Sequence, residues 1–386
     1  MRPRLRLTNF KHLVVLLLSF VLTIHLLLYL HSSSSSINSH VKKDFPVDRM
    51  FNDLKNNIAK KGVLIYPPSS LKQPRGESGW VVLNGNVTVH VGHVHTPHNY
   101  TYLINPTSRC ESFDRTRLKL LLFIASAVKN IKQRQMIRDT WGVWALQEAL
   151  NFRIVFIVGV TPSTDVQRHL EEENVRYGDI VQEDFPDTFK HLALKSVMGL
   201  KWSVSFCNNA DFVMKTDEDI FVHIPNLLKI LHNFYSTKGR TLICHFNRVR
   251  RILRKDFLDT APPHYIKYMV TEQELPGQYF PPYCAGLGYV FSISVAEELY
   301  KAALSTPVFF IEDVYITGFC RYKARVEMYD HPSFTLKPSI HLQQGSCAFS
   351  DGRVTSQELQ LQELHELWKQ VNTQGFFCPQ VVGYLS

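Results

Sequence analysis

Short apolar runs rich in β-branched and aromatic residues alternate with helical patterns, and this alternation restricts the possible fold more than any other feature of the sequence. Strands separated by helices are typical of a layered α/β domain, because parallel strands need a crossover connection. A helical period is evident over about Thr188–Phe206 and again around Leu361–Val371. We therefore predict one α/β domain over residues 111–386, with a mostly parallel sheet flanked by helices. The predicted strands are Leu118–Ser126, Arg153–Val160, Asp179–Gln182, Asp211–Lys215 and Tyr289–Ser294.

The N-terminal region predicts a membrane anchor. Leu13–Leu30 is a run of 18 mostly apolar residues, near the shortest length that spans a bilayer core of about 30 Å. Three arginines and a lysine precede this run and a serine run follows it, which favours a cytosolic N-terminus. A cleaved signal peptide is the alternative, since it shares the basic start and the apolar stretch. We expect a cytoplasmic tail over 1–12, a transmembrane signal anchor over 13–30 and a lumenal body, which is single-pass type II topology.

Residues 31–110 are predicted to form a stem, because they are rich in Ser, Pro, Asn and Gly and show no sustained period apart from pieces such as Val87–Val91. Two glycosylation sequons, at Asn86 and Asn99, agree with a lumenal body. The seven cysteines include no CxxC spacing, which argues against structural zinc and favours disulfides. Their odd number leaves at least one thiol free or paired with another chain.

The formal net charge is +9, but it is spread along the chain rather than concentrated in a stripe with interleaved aromatic residues. We therefore expect no nucleic-acid partner. One local basic cluster extends from Arg248 to Lys255. It is interpreted as a solvated face, with contact to an anionic acceptor or a membrane surface as the alternative.

Two acidic segments follow apolar runs and are the candidate chemical groups. Asp217, Glu218 and Asp219 end one run, and extended backbone there would put Asp217 and Asp219 on one side and Glu218 on the other. Two carboxylates at a strand end can hold Mn²⁺ or Mg²⁺, whereas a solvated turn is the plainer interpretation. Glu312 and Asp313 follow a second run, where a carboxylate could serve as a general base or could simply stabilise a helix N-terminus.

Six segments occur in an order and spacing that resemble the β-1,3-glycosyltransferase family, which includes β-1,3-galactosyltransferases and β-1,3-N-acetylglucosaminyltransferases. Their span is roughly Leu118–Cys320, and the predicted anchor and stem agree with the same family. The segments are Arg134–Gly142, Phe156–Gly159, Tyr177–Lys195, Lys215–Val222, Pro281–Ser292 and Glu312–Gly318.

The resemblance implies a glycosyltransferase fold of the A type with a Rossmann-like sheet. It also implies a Golgi membrane location and an inverting transfer from a UDP-sugar to an acceptor glycan of a glycoprotein or glycolipid. It implies a DxD metal motif at Asp217 and Asp219, which would bind Mn²⁺ or a similar ion, and a catalytic base at Asp313. The nucleotide side of the site would include four further side chains besides Asp217. These are Arg134, Arg138, Lys195 and Glu218.

One position departs from the family pattern. Gln357 stands where many relatives carry a histidine suited to the metal shell, so His341, His365, or water and phosphate oxygens would have to complete it. An inactive lumenal binding or chaperone-like protein is therefore the alternative to an enzyme. A dinucleotide-dependent oxidoreductase is disfavoured, because no GxGxxG turn follows the first strand. Lys267–Cys284 most resembles the galactosyltransferase branch, so galactose is the expected donor sugar, with N-acetylglucosamine and N-acetylgalactosamine as alternatives.

Overall fold

The computed structural model describes residues 79–83, 87–111, 117–147, 149–235, 239–247, 250–257, 262–334, 349–357 and 360–372. All of them belong to one compact unit. The predicted cytoplasmic tail, the anchor, the first part of the predicted stem and the Asn86 sequon lie outside these ranges. Within them, no helix has the length and apolar character needed to cross a bilayer.

The strands of the described chain are β1 (Gly79–Leu83), β2 (Val87–Val91), β3 (Tyr102–Ile104), β4 (Leu118–Ala125), β5 (Phe152–Val160), β6 (Ile180–Pro186), β7 (Ala210–Asp217), β8 (Phe221–Val222), β9 (Thr241–Asn247), β10 (Arg250–Arg251), β11 (Tyr279–Phe280), β12 (Tyr283–Ser292), β13 (Glu327–Asp330) and β14 (Thr355–Ser356). The α-helices are α1 (Ile131–Asp139), α2 (Thr164–Tyr177), α3 (Leu192–Phe206), α4 (Ile224–Tyr235), α5 (Ile293–Ala303), α6 (Arg321–Ala324) and α7 (Leu361–Asn372). Short 3₁₀ helices include Trp141–Leu146, Phe189–His191 and Pro263–Tyr268, and a π-helical segment, Val314–Cys320, precedes α6.

A large mixed sheet forms the centre of the fold, in the order β13-β9-β12-β7-β4-β5-β6-β3. Strands β7, β4, β5 and β6 are parallel, as predicted. In contrast, β12 is antiparallel to both β7 and β9. The chain leaves β9 and enters β12 at the same edge of the sheet, so β12 has to run back across it. The predicted α/β class is confirmed, but the parallel part is confined to the four central strands and the outer pair β13 and β9.

Helices cover both faces of the sheet, which explains why the central strands are nearly continuous apolar runs. Alternation along β4 sends Leu121 and Phe123 into the core beneath α3 and α5, whereas Leu122 contributes to the opposite core beneath α1, α4 and α7. Helix α3 packs so closely that a Cβ on Gly199 would lie 2.5 Å from the Phe123 ring.

The predicted stem does not extend to residue 110, because residues 79–110 are part of the folded body. Strand β2 pairs with β11 at Val87 and Tyr279, and β3 pairs with β6 in the central sheet. The Trp80 ring lies 4.8 Å from that of Phe319. A short local period indicates β2, but the strand partners β11 and β6 are remote in sequence, so no local pattern predicts these pairings. The boundary predicted at residue 110 is therefore corrected to one at or before Gly79.

Two disulfides join remote elements, in agreement with the prediction from cysteine usage. Cys110 bonds to Cys207, and Cys244 of β9 bonds to Cys284 of β12. The second bridge closes a 40-residue separation, and the segment it closes crosses the sheet edge where the candidate site lies. Cys320 is a buried free thiol, while Cys347 and Cys378 lie outside the described residues.

Candidate active site

The candidate site lies at the carboxyl edge of the parallel strands, where α/β proteins generally bind ligands. Asp217 is the last residue of β7, Ser126 follows β4, and Asp187 follows β6. The antiparallel β12 begins at this same edge, and Glu312 and Asp313 pack against it. The fold thus brings together the two acidic segments that the sequence singles out.

Asp217 and Asp219 are on the open side of this edge. Asp217 is partly exposed and Asp219 is exposed. The Asp217 Oδ1 atom is buried without a hydrogen bond, although Lys215 Nζ lies 3.0 Å away as an ion-pair partner. Burial raises the pKa of Asp217 to about 6, with Glu312 and Asp219 adding to the rise and Lys215 opposing it. The concentration of negative charge favours a bound cation.

Glu218 points away from this pair, as strand alternation predicts. It accepts hydrogen bonds from Ser126 Oγ and Asn130 Nδ2, and burial raises its pKa. Its carboxylate therefore ties the turn after β7 to the loop after β4, and the two contacting residues, Ser126 and Asn130, were not singled out from the sequence.

Glu312 is only 3% exposed and fully bonded. Its Oε1 accepts from Ser196 Oγ and Tyr289 Oη, both at 2.6 Å. Its Oε2 accepts from Lys215 Nζ at 2.7 Å. Because Lys215 also pairs with Asp217, this buried lysine links the two acidic segments across 97 residues of sequence. Nothing in the local sequence around Lys215 indicates that role.

Asp313 differs from Glu312 in both contacts and exposure. It is partly exposed, and its Oδ1 accepts from the Val314 backbone N–H at 2.9 Å. A Cβ built on Gly286 would lie 3.7 Å from Asp313 Oδ2, so this carboxylate faces a strand position without a side chain. Burial, and then the neighbouring Glu312 charge, raise the pKa of Asp313 to about 7. The geometry leaves Asp313 accessible and Glu312 enclosed.

The two glycines of β12 have different roles. Gly288 has φ +133°, and a Cβ there would meet Met214 Cε at 2.7 Å and the Lys215 carbonyl oxygen at 2.9 Å. It allows β12 to pack closely on β7. Gly286 meets nothing closer than Asp313, so it keeps the space in front of that carboxylate open.

The basic residues expected on the nucleotide side are engaged with the protein. Arg134 is 0% exposed, and all five of its N–H donors bond to Glu173, Ser126 Oγ and the carbonyl oxygens of Ala127 and Val128. Arg138 holds Asp179 at 2.7 Å and Glu173 at 2.7 Å.

Lys195 is likewise enclosed, since its Nζ lies 2.6 Å from both Asp187 Oδ1 and the Ser126 carbonyl oxygen. Arg134 and Lys195 both hold the loop that follows β4, on which Ser126 lies. In this structure the three basic residues bond to protein groups that support the site. Arg134 has no N–H donor left for a ligand.

Gln357 lies next to the acidic turn. The pairing of β14 with β8 sets Ser356 opposite Phe221, so the next residue, Gln357, comes beside Ile220 and near Asp219. His365 is exposed on α7, whose Trp368 ring packs 5.1 Å from Trp144. His341 lies outside the described residues.

The residues present fit a divalent cation in part. Among the residues that the structure describes, no three His, Cys, Asp or Glu side chains converge on one point. Asp217 and Asp219 nevertheless provide hard oxygen ligands at the open edge, although Asp217 Oδ1 is also paired with Lys215 Nζ at 3.0 Å. Hard cations accept water and phosphate oxygens in the remaining positions, so two carboxylates are compatible with an ion that a diphosphate also binds.

The fold and the site define a mixed α/β protein with a cluster of acidic residues at the carboxyl edge of its central strands. Comparison with known proteins identifies the class further. The profile of the Galactosyltransferase family matches residues 132–332. Human beta-1,3-galactosyltransferase 1 is 31% identical over 315 residues, which cover 80% of this chain and 90% of that protein.

Two further relatives are also named as glycosyltransferases that act in 1,3 linkage. Lactosylceramide 1,3-N-acetyl-beta-D-glucosaminyltransferase B of Danio rerio is 32% identical over 70% of this chain and 69% of its own length. Human beta-1,3-galactosyltransferase 5 is 34% identical over 56% of this chain and 67% of its own length. The chain belongs to the Galactosyltransferase family. Its relatives indicate a glycosyltransferase that forms β-1,3 linkages.

Proposed function

We propose that the chain transfers galactose from UDP-galactose to a 3-hydroxyl of an acceptor glycan, with inversion at the anomeric carbon, on a glycosyltransferase fold of the A type. The observation that carries this proposal is the arrangement of two accessible carboxylate groups at one sheet edge. Asp217 and Asp219 form one group, and Asp313 faces the open position at Gly286. A metal-held donor and a deprotonated acceptor need these two features side by side.

Asp217 and Asp219 would hold Mn²⁺ or a similar ion, which when bound neutralises charge on the diphosphate of the donor. Asp313 accepts the proton of the attacking 3-hydroxyl, and its raised pKa brings it close to neutral pH, where a general base is most effective. Buried Lys215 forms ion pairs with both Asp217 and Glu312 and so fixes their positions. Arg134, Arg138 and Lys195 act through the loops that they support.

The donor is tested with the purified full-length chain, a panel of UDP-sugars and mixed acceptor glycans, by measuring UDP release. We expect UDP-galactose to give the highest kcat/KM. A clear preference for UDP-N-acetylglucosamine or UDP-N-acetylgalactosamine would replace the donor assignment but keep the reaction class. An enzyme requires UDP release above the acceptor-free rate with at least one of these donors. No such release with any of them would favour a binding protein of the same fold.

We also propose a type II protein of the Golgi membrane, on the basis of the apolar run at 13–30 and the exposed sequon residue Asn99. Endoglycosidase should lower the apparent mass of the protein expressed in cells, and Asn99→Gln should remove part of that shift. Sealed vesicles should protect the C-terminus from added protease. Digestion of the C-terminus in intact vesicles would contradict the topology.

A further inference from the structure

Three aromatic rings from separate parts of the chain meet beside the segment that carries Asp313. Phe189 follows β6 at the carboxyl edge, Tyr268 ends the 3₁₀ helix between β10 and β11, and Phe310 lies three residues before Asp313. The Phe189 ring centroid is 5.3 Å from that of Tyr268 and 6.4 Å from that of Phe310. We call these residues the aromatic cluster. Sugar rings present apolar C–H faces, and aromatic side chains are the usual surface for such faces in binding sites.

Several cationic side chains lie near the aromatic cluster. Lys190 Nζ is 5.9 Å from the Phe310 ring centroid, while Lys267 and Arg250 are on the segment that leads into β12. Lys267 Nζ lies 5.0 Å from the ring centroids of both Phe189 and Tyr268. Arg250 bonds to the hydroxyl of Tyr283, the first residue of β12, which also has Asp313 and Tyr268 among its neighbouring titratable groups. Lys267, Arg250 and Asp313 therefore surround one region at the start of β12.

Lys267 and Arg250 have no acidic partner within salt-bridge distance among the described side chains. Their neighbours differ in this respect. Arg251 pairs with Asp256 at 3.9 Å and Arg254 with Glu272 at 3.3 Å. Arg254 also donates to the carbonyl oxygens of Val270 and Leu275, which holds in shape the loop that follows Tyr268.

The charges of the site are thus segregated. The acids Asp217, Glu218 and Asp219 follow β7, whereas Arg250 and Lys267 lie on the segment that leads into β12 beside Asp313. Under the proposed function, a cation on Asp217 and Asp219 compensates the donor's diphosphate. The positive charges of Arg250 and Lys267 then remain available to bind a different anion. Because these two residues lie next to the proposed base, that anion is expected to belong to the acceptor.

We propose that the acceptor is an acidic glycan, whose carboxylate or sulfate group lies against Arg250 and Lys267 while a sugar ring lies against Tyr268. This inference rests on the proposed function for the position of the reacting hydroxyl. It narrows the acceptor from glycans in general to those with a negative charge near the sugar that receives the transfer.

The test uses full-length protein in detergent and three acceptors with the same terminal sugar and free 3-hydroxyl: a neutral, a sulfated and a sialylated oligosaccharide. Both kcat/KM for transfer and the equilibrium Kd by calorimetry are measured. We expect the acidic acceptors to be favoured by roughly 10-fold at low salt, the size of one charge-assisted contact. The preference should decrease as added NaCl screens it, and the better of the two acids identifies the anion.

Arg250→Gln and Lys267→Gln, singly and together, should lower kcat/KM and binding for the acidic acceptors to the level of the neutral one. The KM for the donor should stay unchanged. Arg251→Gln is the matched control, since Arg251 is the neighbouring residue of β10 and pairs with Asp256. Melting temperatures identify any variant that fails to fold.

Equal use and equal binding of neutral and acidic acceptors would overturn the inference, as would a preference that survives in the double variant. A raised donor KM in the variants, with acceptor preference intact, would assign the two cations to the diphosphate instead. A third outcome separates the two proposals. If no acceptor is glycosylated but acidic glycans still bind more tightly than neutral ones, and this preference depends on Arg250 and Lys267, the transferase proposal fails. The proposal that the site binds an acidic glycan is then retained.

Discussion

Asp313→Asn should lower turnover by roughly 10²-fold or more, because the amide keeps the size of the carboxylate but cannot accept the proton of the acceptor hydroxyl. Donor binding should survive, since Asp217 and Asp219 belong to a different segment. Thermal stability should be unchanged or higher. Burial raises the pKa of Asp313 to about 7, so the folded state disfavours the ionised form relative to the unfolded chain, and this charge costs stability at neutral pH and above.

Glu312→Gln is the informative comparison, because it alters the adjacent acid. Glu312 is enclosed by Ser196, Tyr289 and Lys215, and the amide would leave the buried Lys215 charge with Asp217 as its remaining partner. Removing one member of a buried ion pair costs on the order of 3 kcal/mol, so the melting temperature should fall. Turnover and melting temperature, measured on both variants, separate the base from the structural acid.

The pattern of these two measurements decides the assignment. If Asp313→Asn retained near-normal turnover while folded Glu312→Gln lost it, the two roles would be exchanged. If both folded variants remained active, neither carboxylate would be the base, and a water or another side chain would have to take the proton.

Chelation of divalent ions should abolish transfer, and added Mn²⁺ should restore it. Asp217→Asn and Asp219→Asn should each raise the Mn²⁺ concentration needed for half-maximal activity at least 10-fold, because each removes one of the two carboxylates that we propose as metal ligands. Direct Mn²⁺ binding, followed by electron paramagnetic resonance in the absence of donor, gives a readout independent of turnover.

Glu218→Gln is the matched control for the metal site. Its carboxylate bonds to Ser126 and Asn130 rather than facing the Asp217 side, so Mn²⁺ affinity should stay near wild type whatever happens to the rate. Gln357→His should tighten Mn²⁺ binding if Gln357, beside the acidic turn, limits the metal shell. Full activity in excess chelator would refute the metal role, and unaltered Mn²⁺ affinity in both aspartate variants would refute this ligand assignment.

Much of the fold could be predicted from local patterns. The apolar runs at Leu118–Ser126 and Arg153–Val160 are strands within a residue of the predicted ends, because buried parallel strands have to be apolar along their whole length. The acidic residues after such runs were also predictable as site candidates, since strand ends meet at one edge. Strands β1 and β3 were missed because their partners, β2 and β6, decide their conformation, and the pairing of β3 with β6 joins segments about 80 residues apart.

By itself the sequence determined the α/β class, the family, and the acidic positions Asp217, Asp219, Glu312 and Asp313, because hydrophobic period and motif order are local properties. Strand alternation already separates Glu218 from Asp217 and Asp219, but only the tertiary structure decided which of Glu312 and Asp313 faces the open site. That choice depends on Lys215, Ser196 and Tyr289 enclosing Glu312. Burial and hydrogen-bond partners arise from segments that meet only when the sheet forms, so no local pattern carries them.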